Sequence, residues 1–408
     1  HDPTFYEHLA RDAANGLGYV GESGLPTAYY PPGYPLILGA VFALVLHTPL
    51  PDNLPMAGAL MNLVFGTATI LVVGLLGRRL ISPWTGALAA IVVALFPSLI
   101  LHTSLLLSET TFNFFFTSTL LLFLWNPWSG PAPGRDRIVA VGMLTGVCVL
   151  IRPVALPVLA AFAIGMWLVR GPWRVLVLRI ALLALGVAAL VLPWTARNAV
   201  AMDAFIPIST NTGDNLCIGN HEGARGGFAL PDSCFEGLPP FPQDGGDVER
   251  NEETTRRALE WIVAHPEKQP SLIWWRTYYT FVNDRDPIVE SMSYGSDPWM
   301  SPRLADVLGT ASDAYFFGMC TLAAVGVVVM VGRRRPRRWT YVLTMLAMIT
   351  ATWWTFGDVR FHLPLNPLLA VPAGAVLANV PTMRRAAGGG SSAEDTAADV
   401  QPSGVDGA

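Results

Sequence analysis

Long apolar runs closed by arginines constrain this chain more than any other feature. They lie at 57–76, 84–102, 110–125, 138–151, 154–168, 178–193, 315–331, 339–356 and 365–380. A helix needs about 20 mostly apolar residues to cross a bilayer, and a spanning segment must satisfy its own backbone groups. Charged residues make up 14% of the chain and hydrophobic ones 52%, whereas soluble domains carry roughly 25% charged residues. The expected fold class is an all-α polytopic membrane protein with about nine spans.

Arginine placement orients the spans. Arg78 and Arg79, Arg135 and Arg137, Arg170, Arg174 and Arg179, Arg333 to Arg335 with Arg337 and Arg338, and Arg384 and Arg385 fall at alternate ends. Those ends are read as cytoplasmic. Of the 30 acidic residues, only Asp136, Glu394, Asp395, Asp399 and Asp406 then lie inside. The chemistry belongs to the outer face of a cell membrane. Residues 33–47 are apolar, but a full span there would reverse Arg78 and Arg79. Bounded by prolines, they read as an interfacial or re-entrant helix.

The chain therefore divides into a first outer loop (1–56), a six-span block (57–194), a large outer loop (195–313), a three-span block (314–381) and a cytoplasmic tail (382–408). The tail is rich in Gly, Ser, Ala and Asp and is expected to be disordered. In the large loop, 248–264 has the spacing of an amphipathic helix, and Trp274, Trp275, Tyr278 and Tyr279 form an interfacial aromatic anchor. Cys217 and Cys234 share this loop. They can pair if it faces an oxidising compartment, and the sequence leaves that open. There is no Walker loop, dinucleotide fingerprint or paired-cysteine zinc pattern, and nothing points to a nucleic-acid partner. The chain begins with His1, and a membrane anchor ahead of it is expected.

Several polar residues on the outer side are candidates for chemistry. Asp2 is either a general base that takes a proton from an acceptor hydroxyl or a helix cap. Glu109, at the junction of two apolar runs, can steer an acceptor, bind a metal or stabilise a helix start. With no histidine cluster, any metal would be a hard cation such as magnesium or manganese held by Asp2 and Glu109. Arg152, Arg197, Arg360 and His362 can bind a donor phosphate, form structural ion pairs or meet lipid headgroups. Tyr6, Tyr29, Tyr30 and Tyr34 can line a sugar site or pack at the interface. Asn211 and Asn220 can bond a sugar or build turns.

Six motifs then occur in one order. The first loop carries D-x3-Y, G-x-G-Y and P-T-A-Y-Y-P-P-G-Y-P. L-L-x-S-E-T follows at 105–110, L-I-R-P at 150–153, P-W-T-x-R-N at 193–198, S-T-N-x-G-x-N-L-x-I-G-N at 209–220 and R-F-H-L-P at 360–364. The set resembles bacterial relatives of the dolichyl-phosphate-mannose protein mannosyltransferases, the family 39-like members of the GT-C glycosyltransferase superfamily. The resemblance covers nearly the whole chain except its tail.

It implies a GT-C-like helical bundle that moves a sugar from a polyprenyl-phosphate carrier to a protein, lipid or glycan acceptor outside the cytoplasm. The transfer would be an inverting single displacement. Asp2 matches the position of the family's catalytic base and Glu109 that of its second-loop acid. Two features depart from the pattern. The family's helix before the first acid is not in this sequence, and Asp2 is followed by Pro3 rather than by a second acid. A transporter or flippase would place ionisable groups inside its spans, which this sequence does not. A non-catalytic scaffold is the remaining alternative.

Overall fold

The computed structural model describes residues 2–48, 53–125, 133–239, 246–293, 300–331 and 335–379. Among them the structure is helical, with no named strand. The helices are α1 (Asp2–Ala14), α2 (Gly33–Leu46), α3 (Leu54–Leu80), α4 (Pro83–Ala94), α5 (Pro97–His102), α6 (Ser108–Leu124), α7 (Arg135–Ile151), α8 (Pro157–Trp167) and α9 (Trp173–Met202). They continue with α10 (Asn211–Gly219), α11 (Asp232–Phe235), α12 (Asp247–Ala264), α13 (Gln269–Phe281), α14 (Asp286–Ser293), α15 (Pro302–Val331), α16 (Pro336–Thr350) and α17 (Asn366–Leu377).

Among the described residues the apolar stretches are largely helical, but the lengths differ from expectation. Among the described residues, only α3, α9 and α15, with 27, 30 and 30 residues, are long and apolar enough to cross a membrane by length and composition. The stretch 84–102 is broken. Phe96 is extended at φ −75° and ψ 111° before Pro97, because proline disfavours helical backbone in the residue before it. Conversely, α9 runs through Pro193 and past Arg197 to Asp203, where the backbone turns left-handed at φ 50°. The Pro193–Asn198 motif is thus helical rather than the end of a span. α15 likewise begins at Pro302, inside the expected outer loop.

The 14 residues of α2 reach about 21 Å at 1.5 Å each, short of the roughly 30 Å hydrocarbon core. The core runs through α1–α9 and α15–α17, with Phe42, Phe96, Phe112, Phe116, Phe162 and Phe316 at 0–1% exposure. Glycine sets its closest approach. A Cβ on Gly142 of α7 would collide with the Leu183 carbonyl of α9, and one on Gly186 with the Val139 carbonyl. Small residues are what allow helix backbones this close where water supplies no hydrophobic drive. The loop helix expected at 248–264 is α12, and the tail at 382–408 lies outside the described residues.

Candidate active site

Four local devices deliver four charged side chains to one place. Asp2 opens α1, whose face of Pro3, Tyr6, Leu9, Ala10 and Ala14 is buried. That face fixes the angle at which the carboxylate leaves the bundle. Glu109 lies in the first turn of α6, after extended Leu107. Arg152 ends α7 with an extended backbone (φ −148°, ψ 113°) because Pro153 follows. Arg360 sits in a short 3-10 turn before α17, where the Asp358 side chain caps its backbone N–H at 2.9 Å.

These side chains converge. Arg360 Nη1 lies 2.7 Å from Asp2 Oδ2. Its Nη2 and Nε lie 2.8 and 2.9 Å from Glu109 Oε1. Arg152 Nη1 reaches the same oxygen at 2.6 Å and donates to Ser108 Oγ at 3.1 Å. Two guanidiniums on two carboxylates leave the cluster neutral, and desolvated ion pairs persist only when they compensate one another in this way. Glu109 is 1% exposed and its Oε2 is buried without a hydrogen-bond partner. The Asp2 side chain is 34% exposed, so the cluster opens to solvent at Asp2.

The tyrosines form a second layer. Tyr30 donates to Asp2 Oδ1 at 2.9 Å. Burial, reinforced by the Asp2 charge, holds the Tyr30 phenol well above its usual range, so Tyr30 gives Asp2 a hydrogen bond and keeps its proton. Tyr6 meets Tyr30 and Tyr34 edge-on with centroids 5.0 and 5.1 Å apart, and Tyr29 meets Tyr30 at 5.1 Å. All four are 0–7% exposed. They pack on one another and do not present a face to a sugar. Tyr29 donates to Asp214 at 2.9 Å, which also receives Arg250 at 2.8 Å, so the first loop is fastened to α10 and α12.

Other expected site residues lie elsewhere. The Arg197 guanidinium donates to the carbonyls of Thr27 at 2.7 Å and Tyr19 at 2.5 Å and lies over Trp194. It shapes the first loop and does not face the cluster. His362 is 1% exposed, with Nδ1 2.6 Å from the Thr280 carbonyl and Nε2 2.8 Å from Asp284 Oδ1. Facing two acceptors, it is a buried strut rather than a phosphate ligand. Asn220 donates to the carbonyls of Leu216 and Trp354 and receives Arg276 and Gln269. Asn211 begins α10 and receives Ser209 Oγ at 2.8 Å. Both asparagines build the loop. Cys217 and Cys234 form a disulfide with their Cα atoms 5.9 Å apart.

Three acids and one histidine near the cluster were not singled out from the sequence. Buried His102 pairs with Asp286 at 3.3 Å. One turn further along α14, Glu290 faces the cluster and is half-buried. Burial raises its carboxyl above the ordinary range. Arg360 opposes this, while Asp286, Asp2 and Glu109 add to it. Asp284 joins His362 and Ser312. The i, i+4 spacing of Asp286 and Glu290 was the available signal, but only tertiary packing of α14 on α5 shows which way it points.

A divalent cation does not fit the arrangement as it stands. Arg360 occupies the position between Asp2 and Glu109 where shared coordination would be needed. Among the described residues no group of three or more His, Cys, Asp or Glu side chains is placed to hold a metal ion.

The helical bundle shares its overall fold with solved structures of known proteins. The chain is similar to the archaeal oligosaccharyltransferase AglB of Archaeoglobus fulgidus in complex with an inhibitory peptide and a dolichol-phosphate. The TM-score is 0.56 at 16% identity, covering 98% of this chain and 48% of that one. The apo form of the same organism's oligosaccharyltransferase matches at 0.56 and 15% identity, covering 98% and 48%. Its complex with Zn and sulfate matches at 0.52 and 18%, covering 98% and 47%. The chain spans about half the length of these oligosaccharyltransferase structures. No family model and no curated protein matches it.

Proposed function

We propose that this chain is a membrane glycosyltransferase that moves a sugar from a polyprenyl-phosphate carrier to an acceptor hydroxyl on the extracytoplasmic face. The observation that carries the reading is the convergence of Asp2, Glu109, Arg152 and Arg360 from four separate elements. The fold shared with AglB, a dolichol-phosphate complex, supports it. The Cys217–Cys234 disulfide supports an oxidising compartment for the loop side.

In this reading the acceptor oxygen attacks the anomeric carbon of the donor sugar. The bond from that carbon to the phosphate oxygen breaks, its electron pair leaves with the phosphate, and the acceptor proton passes to Asp2. A single displacement of this kind inverts the anomeric carbon. Glu109, paired with Arg152 and Arg360, fixes the guanidinium that reaches Asp2. Arg360 holds both carboxylates at their working separation, and such positioning supplies much of the rate advantage of a bound pair.

The test is transfer of label from a polyprenyl-phosphate-linked sugar to a panel of protein, lipid and glycan acceptors by the purified chain. Loss of transfer in Asp2→Asn and Glu109→Gln is the expected result. Full activity in Asp2→Asn would remove the base assignment. Movement of lipid-linked sugar across vesicles without transfer would replace the reading with a flippase.

A further inference from the structure

The charged cluster leaves a question that the rest of the molecule answers. A departing phosphate gains negative charge, yet Arg360 and Arg152 are already neutralised by Asp2 and Glu109, and Asp286, Glu290 and Asp358 stand nearby. Arg197 is occupied by backbone carbonyls. An anion needs a different cation.

One is available beside the cluster. The turn after α10 places Arg225 between two cavities of about 550 and about 760 Å³. The larger is also lined by His221, Asn283, Asp286, Gly357, Asp358 and Val359, so its wall reaches the residue next to Arg360. Arg225 is exposed and, among the described residues, makes no hydrogen bond or ion pair. His221 is 8% exposed. Its Nδ1 lies 2.7 Å from the Glu222 carbonyl, and its Nε2 is buried with no hydrogen-bond partner. A buried imidazole nitrogen left unpaired in a cavity wall awaits a partner.

The turn is held in place. The Gly357 N–H donates to the Gly226 carbonyl at 2.7 Å, Gly227 and Gly357 bridge in parallel, and Gly226 adopts φ +87° against Trp275, where a Cβ would collide.

We infer that Arg225 and His221 form the phosphate subsite of this cleft, holding the carrier's phosphoryl group beside the Asp2–Arg360–Glu109 cluster. This rests on the carrier-dependent reading above. The guanidinium offers paired donors to phosphate oxygens, and the His221 imidazole presents its unpartnered Nε2 to the same group.

The test uses the full chain in nanodiscs of zwitterionic lipid. Undecaprenyl phosphate is the probe, phosphatidylglycerol the control anionic lipid and inorganic phosphate the soluble competitor. Arg225→Gln is expected to weaken undecaprenyl phosphate binding at least tenfold, and His221→Gln severalfold, with unfolding midpoints and phosphatidylglycerol binding unchanged. Inorganic phosphate should compete in the wild type and not in Arg225→Gln. Equal binding of undecaprenyl phosphate by wild type and Arg225→Gln would overturn the subsite alone. So would inorganic phosphate that binds through Arg225 without displacing the lipid. A wild-type chain that binds no undecaprenyl phosphate would overturn the carrier-dependent reading and the subsite with it.

Discussion

Arg360 grips Glu109 through one carboxylate oxygen, with Nε at 2.9 Å and Nη2 at 2.8 Å, and leaves Nη1 to reach Asp2. A lysine has no such planar fork. Arg360→Lys should therefore retain one carboxylate and release the other. Arg360→Met leaves Glu109, 1% exposed, with Arg152 as its remaining cation. Breaking a buried pair costs about 3–5 kcal/mol. Thermal unfolding in detergent should rank wild type above Arg360→Lys and Arg360→Met last, and both variants should lose transfer. A Met variant as stable as wild type would contradict the arrangement.

Asp2 and Glu109 should separate by type of effect. The Asp2 side chain is one-third exposed, so Asp2→Asn should unfold close to wild type while turnover falls roughly 10²–10⁴-fold, the usual worth of a general base. Glu109→Gln should lose both stability and turnover. Steady-state kinetics beside melting curves distinguish the two patterns.

His362 should behave as structure. His362→Ala strands buried Asp284, at 0% exposure, and should destabilise by about 3–5 kcal/mol. The folded fraction should keep the KM of wild type for the carrier. A raised KM with unchanged stability would return His362 to the phosphate.

Reducing the Cys217–Cys234 bond, which closes a separation of 17 residues, should cost about 3 kcal/mol by loop entropy. The loss should appear first as protease sensitivity in the α10–α12 region. Cys217→Ser with Cys234→Ser should reproduce it without reductant.

Glu290 gives a pH signature. Burial, with Asp286, Asp2 and Glu109, raises its folded pKa against the pull of Arg360. The folded state then holds this proton more tightly than the unfolded state. Its contribution to stability is full below the unfolded value of about 4.3 and is lost as pH rises through the higher folded value. Melting midpoints measured across that window should fall less steeply with rising pH in Glu290→Gln than in wild type.

Much of this was legible in the sequence, because hydrophobic runs and arginine ends follow directly from the cost of burying polar groups. The apolar stretches fold largely as helices, and the sequence marks Asp2, Glu109, Arg152 and Arg360 as polar groups of the outer side without showing that they meet. What the sequence concealed was partnership. Nothing local to Arg197 shows that it clasps carbonyls at Tyr19 and Thr27. Nothing near His362 shows Asp284 beneath it. The polar residues of α1 mask its buried face of Tyr6, Leu9, Ala10 and Ala14, which gives a helix the composition of a loop. The sequence leaves Tyr6, Tyr29, Tyr30 and Tyr34 between a sugar site and interface packing, and in the fold they pack on one another.

The short backbone seam of Gly226 and Gly227 with Gly357 has a mechanical consequence. The disulfide-bonded lobe and the turn bearing Arg360 are sewn together through the main chain, so a ligand that displaces one drags the other. Movement of the lobe would pass along the main chain to Gly357 and reach Asp2 and Glu109 through the Arg360 side chain.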